Sequence, residues 1–119
     1  MRNFRTYKIW NDAVELCTEI YKISHTFPAS ETYALANQMQ RASVSIASNI
    51  AEGCSRKSEV EFAHFLEMAI GSAFEVETQL LIAKQLMYID EQTYQMQETV
   101  LNELEKNINR LITKLRANS

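Results

Sequence analysis

Turn-forming residues are scarce in this sequence, which contains only two glycines and one proline in 119 residues. Folds made of many short strands need frequent tight turns, and those turns depend on glycine and proline. This scarcity argues against a meander of short strands and favours a few long elements with short connections. The two glycines, Gly53 and Gly71, are also too far apart in the sequence to form a Walker loop, a dinucleotide-binding fingerprint or a nucleophile elbow.

Long apolar runs are also missing, although hydrophobic residues make up 46% of the chain. No stretch of about 20 apolar residues occurs that could cross a bilayer, and the basic first ten residues include no apolar segment of signal-peptide length. The two cysteines, Cys17 and Cys54, match no metal-binding or redox spacing, so we expect free thiols in a reducing compartment. Together these features predict a cytoplasmic protein.

Apolar residues recur at three- and four-residue spacings along the chain, which is the period of a helical bundle. The predicted helices fall at about residues 6–26, 31–53, 59–87 and 91–116. Pro28 ends the first helix, Ser58 and Glu61 form a capping box that opens the third, and Asp90 caps the fourth. Short connections make successive long helices antiparallel. We therefore predict an all-α, up-down-up-down four-helix bundle, with residues 1–119 forming a single domain.

Two residues mark the predicted ends of the second helix. Ser30 is placed to cap its N-terminus, because serine side chains accept hydrogen bonds from the first free backbone N–H groups. Gly53 is placed just past its C-terminus, where glycine readily adopts the left-handed conformation that ends many helices.

The predicted third helix carries two apolar lines. The first is a regular stripe that runs from Phe62 to Met87 and supplies one side of the bundle core. Beside it lies a second line formed by Ile70, Phe74 and Leu81. One core needs one stripe, so the second line either packs against another subunit or widens the core-facing surface of the monomer. Periodicity favours neither alternative over the other.

Several polar residues fall on the sides of the second and third helices that face into the bundle. Asn49 is in register with Ile46 and Gly53, and a buried amide needs hydrogen-bond partners. We expect a structural network that fixes the helix register, and a small-molecule site inside the bundle is the less favoured alternative. The predicted members of the network are Arg41, Ser45, Asn49, Glu52, Ser72 and Glu75.

Charge is unevenly placed along the chain, although the formal net charge is only -3. In an up-down-up-down bundle, the start of the first helix, the loop between the second and third, and the end of the fourth share one pole. That pole, which we call the basic pole, collects eight of the 12 basic residues. They are Arg2, Arg5, Lys8, Arg56, Lys57, Arg110, Lys114 and Arg116. The opposite pole collects Glu31, Asp90, Glu91 and Glu98.

The basic pole has two interpretations. Cations in the last turns of the fourth helix offset the negative end of its dipole, which explains Arg110, Lys114 and Arg116 as an ordinary solvated surface. That account does not cover the cations near the start of the first helix or the Arg56–Lys57 pair in a loop. The functional alternative is that the pole binds the phosphates of a nucleic acid or an acidic partner.

No combination of residues indicates catalysis. Glu61 and His64 form one Glu-x-x-His pair of the kind that ligates di-iron centres in ferritin-like bundles, but such a centre needs two pairs. His25 has Lys22 three positions before it, so the second pair is missing. We therefore predict no enzyme activity, no cofactor and no metal site, and we interpret His64 as a surface or interface residue.

Three segments of the chain carry a family resemblance. They are residues 7–10 (YKIW), residues 40–53 (QRASVSIASNIAEG), and a run that starts at residues 61–66 (EFAHFL) and continues to Ser72, Glu75, Gln79 and Leu80. Through them the chain resembles the four-helix-bundle proteins first noticed in intervening sequences of bacterial large-subunit ribosomal RNA genes and often labelled ribosomal. Ala47 stands where many members have proline, which should leave the second helix less kinked.

The resemblance implies a homopentamer, which would account for the second apolar line of the third helix. It also implies kinship with the accessory protein of diversity-generating retroelements, a basic pentamer that binds nucleic acid together with a reverse transcriptase. This chain is acidic overall, so it has either lost general nucleic-acid affinity or confines that affinity to the basic pole, where five copies would form a positive ring.

Two functions of different classes follow from the sequence. The first is a non-enzymatic, oligomeric accessory protein that binds RNA or DNA through the basic pole. The alternative is a protein–protein adaptor or assembly protein with no nucleic-acid binding. A role within the ribosomal subunit itself is not expected, because ribosomal proteins are usually strongly basic.

Overall fold

The structure is a computed structural model, and it describes residues 1–118. These residues contain no strand, so the predicted all-α architecture is confirmed. Two short 3-10 turns, Phe4–Thr6 and Ala29–Glu31, precede the first and second helices. The four helices are α1 (Lys8–Ser24), α2 (Leu35–Cys54), α3 (Glu59–Gln85) and α4 (Glu91–Ala117).

The helices pack side by side into an elongated bundle of 46 × 23 × 20 Å. Extensive contacts join α1 to α2, α2 to α3, and α3 to α4, whereas α1 and α4 contact each other less. Because each connection is short, neighbouring helices run antiparallel. The weaker contact between α1 and α4 leaves a groove along that side of the bundle.

Contacts between residues far apart in the sequence define the two poles. At the basic pole, the backbone N–H of Arg2 donates to the carbonyl of Cys54 at 3.3 Å. At the opposite pole, the rings of Phe27 and Tyr88 lie 5.4 Å apart, and the Tyr88 hydroxyl donates to Glu31 at 2.9 Å. The start of the chain therefore lies beside the α2–α3 loop, as an up-down-up-down topology requires.

The core consists of apolar side chains that recur every three or four residues on all four helices. On α3 the predicted stripe is buried from Phe62 to Ala83, whereas Met87 is 90% exposed. Each large side chain moved from water into such a core contributes about 1.5–3 kcal/mol. The largest fully buried ones include Phe62, Leu16, Ile20, Met39, Ile46, Ile50, Leu66, Leu80, Leu101 and Ile108.

Side-chain hydrogen bonds set the ends of several helices. Ser58 Oγ accepts from the N–H of Glu61 at 3.1 Å, and Asp90 accepts from the N–H of Thr93 at 2.7 Å, so both predicted caps are confirmed. α1 begins two residues later than predicted, because the Asn3 side chain caps a separate 3-10 turn.

The start of α2 and the end of α3 also differ from the prediction. Ser30 lies within a 3-10 turn, and Glu31 Oε1 accepts from the N–H of Leu35, where α2 begins. α3 stops at Gln85, since Met87 has a φ of 64° and the chain turns there. A left-handed residue just past a helix lets the following N–H groups reach back to its last free carbonyls.

Gly53 has a different role from the one predicted. It lies within the last turn of α2, and its φ is not positive. A β-carbon at this position would lie 2.9 Å from Cδ1 of Phe62 and 3.0 Å from Cβ of Phe65. Gly53 is therefore needed for the close approach of α2 to the start of α3, not for ending the helix.

Replacing Gly53 with alanine should destabilise the protein by about 1–3 kcal/mol, because a β-carbon forces rearrangement in a packed core. Gly71→Ala is the matched control, since a β-carbon at this exposed position of α3 meets no atom within 4 Å. The control should gain about 0.5–1 kcal/mol from the higher helix propensity of alanine. Urea unfolding followed by circular dichroism measures both effects. Equal effects of the two substitutions would contradict the close-approach role.

Candidate functional site

The candidate site is a shallow cavity at the basic pole, where the start of the chain meets the α2–α3 loop. Its volume is about 500 Å³, and it is lined by Met1, Arg2, Ser55, Arg56 and Lys57. Three cationic side chains therefore line one concave surface. Charge of one sign in a concave surface raises the local concentration of oppositely charged ligands.

Two of these cations are held in place by aromatic rings at the start of α3. The guanidinium of Arg2 lies 4.5 Å from the ring centroid of Phe62, and its Nη1 donates to the Arg56 carbonyl at 2.7 Å. The guanidinium of Arg56 lies 4.8 Å from the ring centroid of Phe65. A stacked arginine loses less conformational entropy when it binds an anion, because its position is already restricted.

Arg56 retains hydrogen-bonding capacity despite an ion pair. Its NH2 lies 2.6 Å from Glu52 Oε1, an exposed contact of the kind that contributes little to stability. Its Nε is buried and has no acceptor within residues 1–118. A buried donor without an acceptor is costly, so an incoming anion that reached this group would be favoured.

The other predicted cations differ in whether a carboxylate already pairs with them. Lys8 lies 2.6 Å from Asp12, and Arg116 lies 2.6 Å from Glu67, so these two charges are partly compensated. The remaining four are exposed and form no ion pair with another described residue. They are Arg5, Lys57, Arg110 and Lys114.

Carboxylates also lie at the basic pole. Glu59 and Glu61 occupy the first turn of α3, where negative charge favourably offsets the helix dipole. Glu52 and Glu67 pair with arginines, as described above. The pole therefore has mixed charge, and its uncompensated positive charge is concentrated at the cavity and on the exposed face of the last turns of α4.

The polar network between α2 and α3 is smaller than predicted. Asn49 Nδ2 donates to the carbonyl and to the Oγ of Ser45, and Ser72 Oγ donates to the same Oγ at 2.9 Å. These three residues form a continuous chain of hydrogen bonds across the two helices. The structure instead exposes the three charged residues that were predicted to face inward: Arg41, Glu52 and Glu75. Charged side chains at the edge of a helix interface keep their hydration and avoid the cost of burial.

The second apolar line of α3 is only partly covered by the monomer. Ile70 packs against the core, whereas Phe74 and Leu81 are 55% and 41% exposed. Phe74 and Leu81 also line a shallow cavity of about 340 Å³ with Tyr94 of α4. A wider monomer core therefore does not account for these two side chains.

The sequence model of the 23S rRNA-intervening sequence protein family matches residues 5–110. The chain belongs to this family. Its fold is also that of a protein of unknown function from the S23 ribosomal protein family of Bacteroides thetaiotaomicron VPI-5482, with a TM-score of 0.80 and 23% identity. The likeness covers 87% of this chain and 97% of that one, and it shows the fold alone. No curated protein matches the chain.

In this member of the 23S rRNA-intervening sequence family, the remaining residues singled out by sequence do not line the cavity at the basic pole. Cys17 and Cys54 are both free thiols, and burial raises the pKa of the Cys54 thiol. Glu61, His64 and His25 are exposed. The described part of the chain contains no group of three metal-ligating side chains that could hold an ion. None of its helices combines the length and apolar character needed to cross a membrane.

A carboxyl cluster that was not predicted from the sequence lies between α3 and α4. Glu105 is only 9% exposed, and its Oε2 and the Oε1 of Glu77 are both buried without a hydrogen-bond donor among the described residues. Burial raises the pKa of Glu105 to about 8, and the hydrogen bond to Glu77 and the charges of Glu77 and Glu98 act in the same direction. With this pKa Glu105 is mostly protonated at neutral pH, and its carboxyl proton can be donated to the Glu77 carboxylate. The burial of Glu105 could have been predicted from the sequence, since Glu105 is four residues after Leu101 and three before Ile108 and therefore lies on the apolar face of α4.

Glu105→Gln should remove a pH dependence of stability. Because the folded state raises this pKa from 4.5 to about 8, the contribution of Glu105 to stability is greatest below pH 4.5 and declines as pH rises towards 8. Glutamine can still donate to Glu77 but does not titrate, so the variant should be more stable at pH 8 by on the order of 1–3 kcal/mol.

Urea unfolding between about pH 5 and pH 8 measures this difference. Glu103→Gln, an exposed carboxylate on the same helix, is the control and should keep the decline of the natural protein. Parallel stability profiles for the Glu105→Gln variant and the natural protein would contradict the assignment of the proton to Glu105.

Proposed function

We propose that this member of the 23S rRNA-intervening sequence family is a non-enzymatic accessory protein that binds RNA or DNA through its basic pole. The observation that carries the proposal is the cavity at that pole, where Arg2, Arg56 and Lys57 line one surface. Nucleic acids are bound largely through neutralisation of their phosphates, and arginine is well suited to that contact. The kinship with the retroelement accessory protein that the family resemblance implies favours the same class of partner.

We further propose that the protein acts as a homopentamer. A five-membered ring requires two different surfaces on each subunit, because every contact is head-to-tail. The exposed side chains of Phe74 and Leu81 on α3 supply an apolar contribution to one of them. A ring would present five copies of the cavity, and several weak sites on one long ligand bind it more tightly than one site does.

The charge of the protein sets how this binding should depend on salt. The net charge of -3 opposes long-range attraction, so phosphate contacts must come from the pole itself. Each neutralised phosphate contributes about -0.9 to the slope of log K against log salt for duplex DNA and about -0.7 for single strands. Three contacts for each subunit that touches the ligand therefore give a slope of roughly -2 to -3 per subunit.

Neutralising the cavity should weaken this binding. The double variant Arg56→Gln with Lys57→Gln should lose at least about tenfold in affinity near 50 mM salt, since two phosphate contacts are removed. Lys22→Gln with Lys84→Gln changes the net charge equally at the opposite pole and should bind normally. Fluorescence anisotropy with labelled single-stranded RNA and duplex DNA measures both variants, after circular dichroism has shown that they fold.

Light scattering on the same samples tests the assembly. A mass five times the 13.7 kDa of one chain is expected. Equal weakening by the two double variants would show a general charge effect and contradict the cavity as the site. Absence of binding to either nucleic acid at low salt would refute the proposed function and leave the protein adaptor as the alternative.

A further inference from the structure

An open groove lies between α1 and α4, on the side of the bundle where the helices contact each other least. Its volume is about 470 Å³, and its apolar lining is formed by Leu16, Met96, Val100 and Leu104. Met96 is 57% exposed, so part of this apolar surface faces water. The groove is separate from the cavity at the basic pole, because the two share no lining residue.

Carboxylates form the rim of the groove: Asp12, Glu15 and Glu19 on α1, and Glu103 on α4. Lys8 and Lys22 pair with the two outer ones, Asp12 and Glu19. Glu15 and Glu103 form no ion pair within residues 1–118, so the middle of the rim retains uncompensated negative charge. The three α1 carboxylates are three and four residues apart and therefore follow one face of the helix.

Carboxylates from both helices line the groove, since Asp12 and Glu15 belong to α1 and Glu103 belongs to α4. The pKa of Lys8 is raised first by the hydrogen bond to Asp12 and by the charge of Asp12, and further by the charges of Glu103 and Glu15. α1 and α4 thus direct negative charge at the same region from opposite sides. Such a region attracts cations and repels the phosphates of a nucleic acid.

A buried amide adds hydrogen-bonding capacity to the groove. Gln97 is 5% exposed and lines the groove, and its side-chain oxygen has no hydrogen-bond donor among the described residues. An unsatisfied buried acceptor costs about 1–3 kcal/mol. An occupant that supplied an N–H donor would remove this cost, so the groove favours a ligand with cationic or amide donors.

We propose that the groove binds an amphipathic helical segment of a partner protein, with an apolar face bordered by lysine or arginine on both sides. The lining runs from Asp12 to Glu19 and from Met96 to Leu104, a length of about 12 Å or two helical turns. That length accommodates apolar anchors at positions i, i+3 or i+4, and i+7 of a docked helix. Its flanking cations lie opposite Glu15 and Glu103.

Other occupants fit the groove less well. A second copy of this chain would offer its exposed apolar line with Phe74 and Leu81, which adjoins Glu75 and Glu77. Docking that line into the groove would place these carboxylates against the carboxylates of the rim. A small organic cation would leave much of its surface in water, because the groove is open, whereas small-molecule sites bury most of their ligand.

The probe for the test is a labelled, designed helical peptide of about 16 residues, with leucines at the anchor positions and lysines on both flanks. We expect the full chain to bind it, and the variant Glu15→Gln with Glu103→Gln to bind about tenfold more weakly. Glu61→Gln with Glu75→Gln is the control: both positions are exposed and outside the groove, and glutamine preserves the capping box at residue 61. This control should bind normally.

Two peptide variants separate specific docking from attraction of a cation to an acidic protein. Replacing the leucines with serine, or the lysines with glutamate, should abolish binding, and methyl NMR should place the bound peptide beside Met96. Equal weakening by the two protein variants, or shifts confined to other methionines, would overturn the proposal. A fall in the mass of the assembly on peptide addition would also overturn it, because a second copy would then be the natural occupant.

Discussion

The close packing of α2 against the start of α3 is the contact on which the candidate site depends. Gly53 carries no side chain, so the ring of Phe62 occupies the space beside it. The guanidinium of Arg2 lies 4.5 Å from the centroid of the same ring, and the ring of Tyr7 packs against it in a T-shaped arrangement with the centroids 5.9 Å apart. One apolar contact therefore joins two helices, holds the start of the chain and positions a cation of the cavity at the basic pole.

Uncompensated charges of opposite sign are concentrated on different surfaces of this protein, and the net charge conceals this separation. The cavity at the basic pole is lined by Arg2, Arg56 and Lys57, whereas the groove between α1 and α4 has a carboxylate rim. Electrostatic attraction is screened beyond about 8 Å at physiological salt, so each surface acts mainly through its own local charge. A chain with a net charge of -3 can therefore present one surface suited to phosphates and another suited to a cationic helix.

Much of the fold could be predicted because its signals repeat or are local. The apolar stripe of α3 repeats over many turns, and the caps at Ser58 and Asp90 need only residues three positions away. The starts of α1 and α2 were misplaced because the side chains of Asn3 and Glu31 stabilise short turns that compete with the helix. Gly53 was wrongly predicted to end α2 because glycine is common just past helix ends. Its actual role depends on a contact with Phe62 of α3, and the sequence around Gly53 does not reveal that contact.

The sequence by itself determined the four helices, their antiparallel order and the collection of cations at one pole, because these follow from periodicity and short connections. Only the tertiary structure decided which charges remain free and which groups are buried together. Arg116 is paired because Glu67 lies on the adjacent helix, and Glu105 keeps its proton because the bundle buries it beside Glu77 of α3. Both effects depend on distances between side chains of different helices, which no pattern within a single helix specifies.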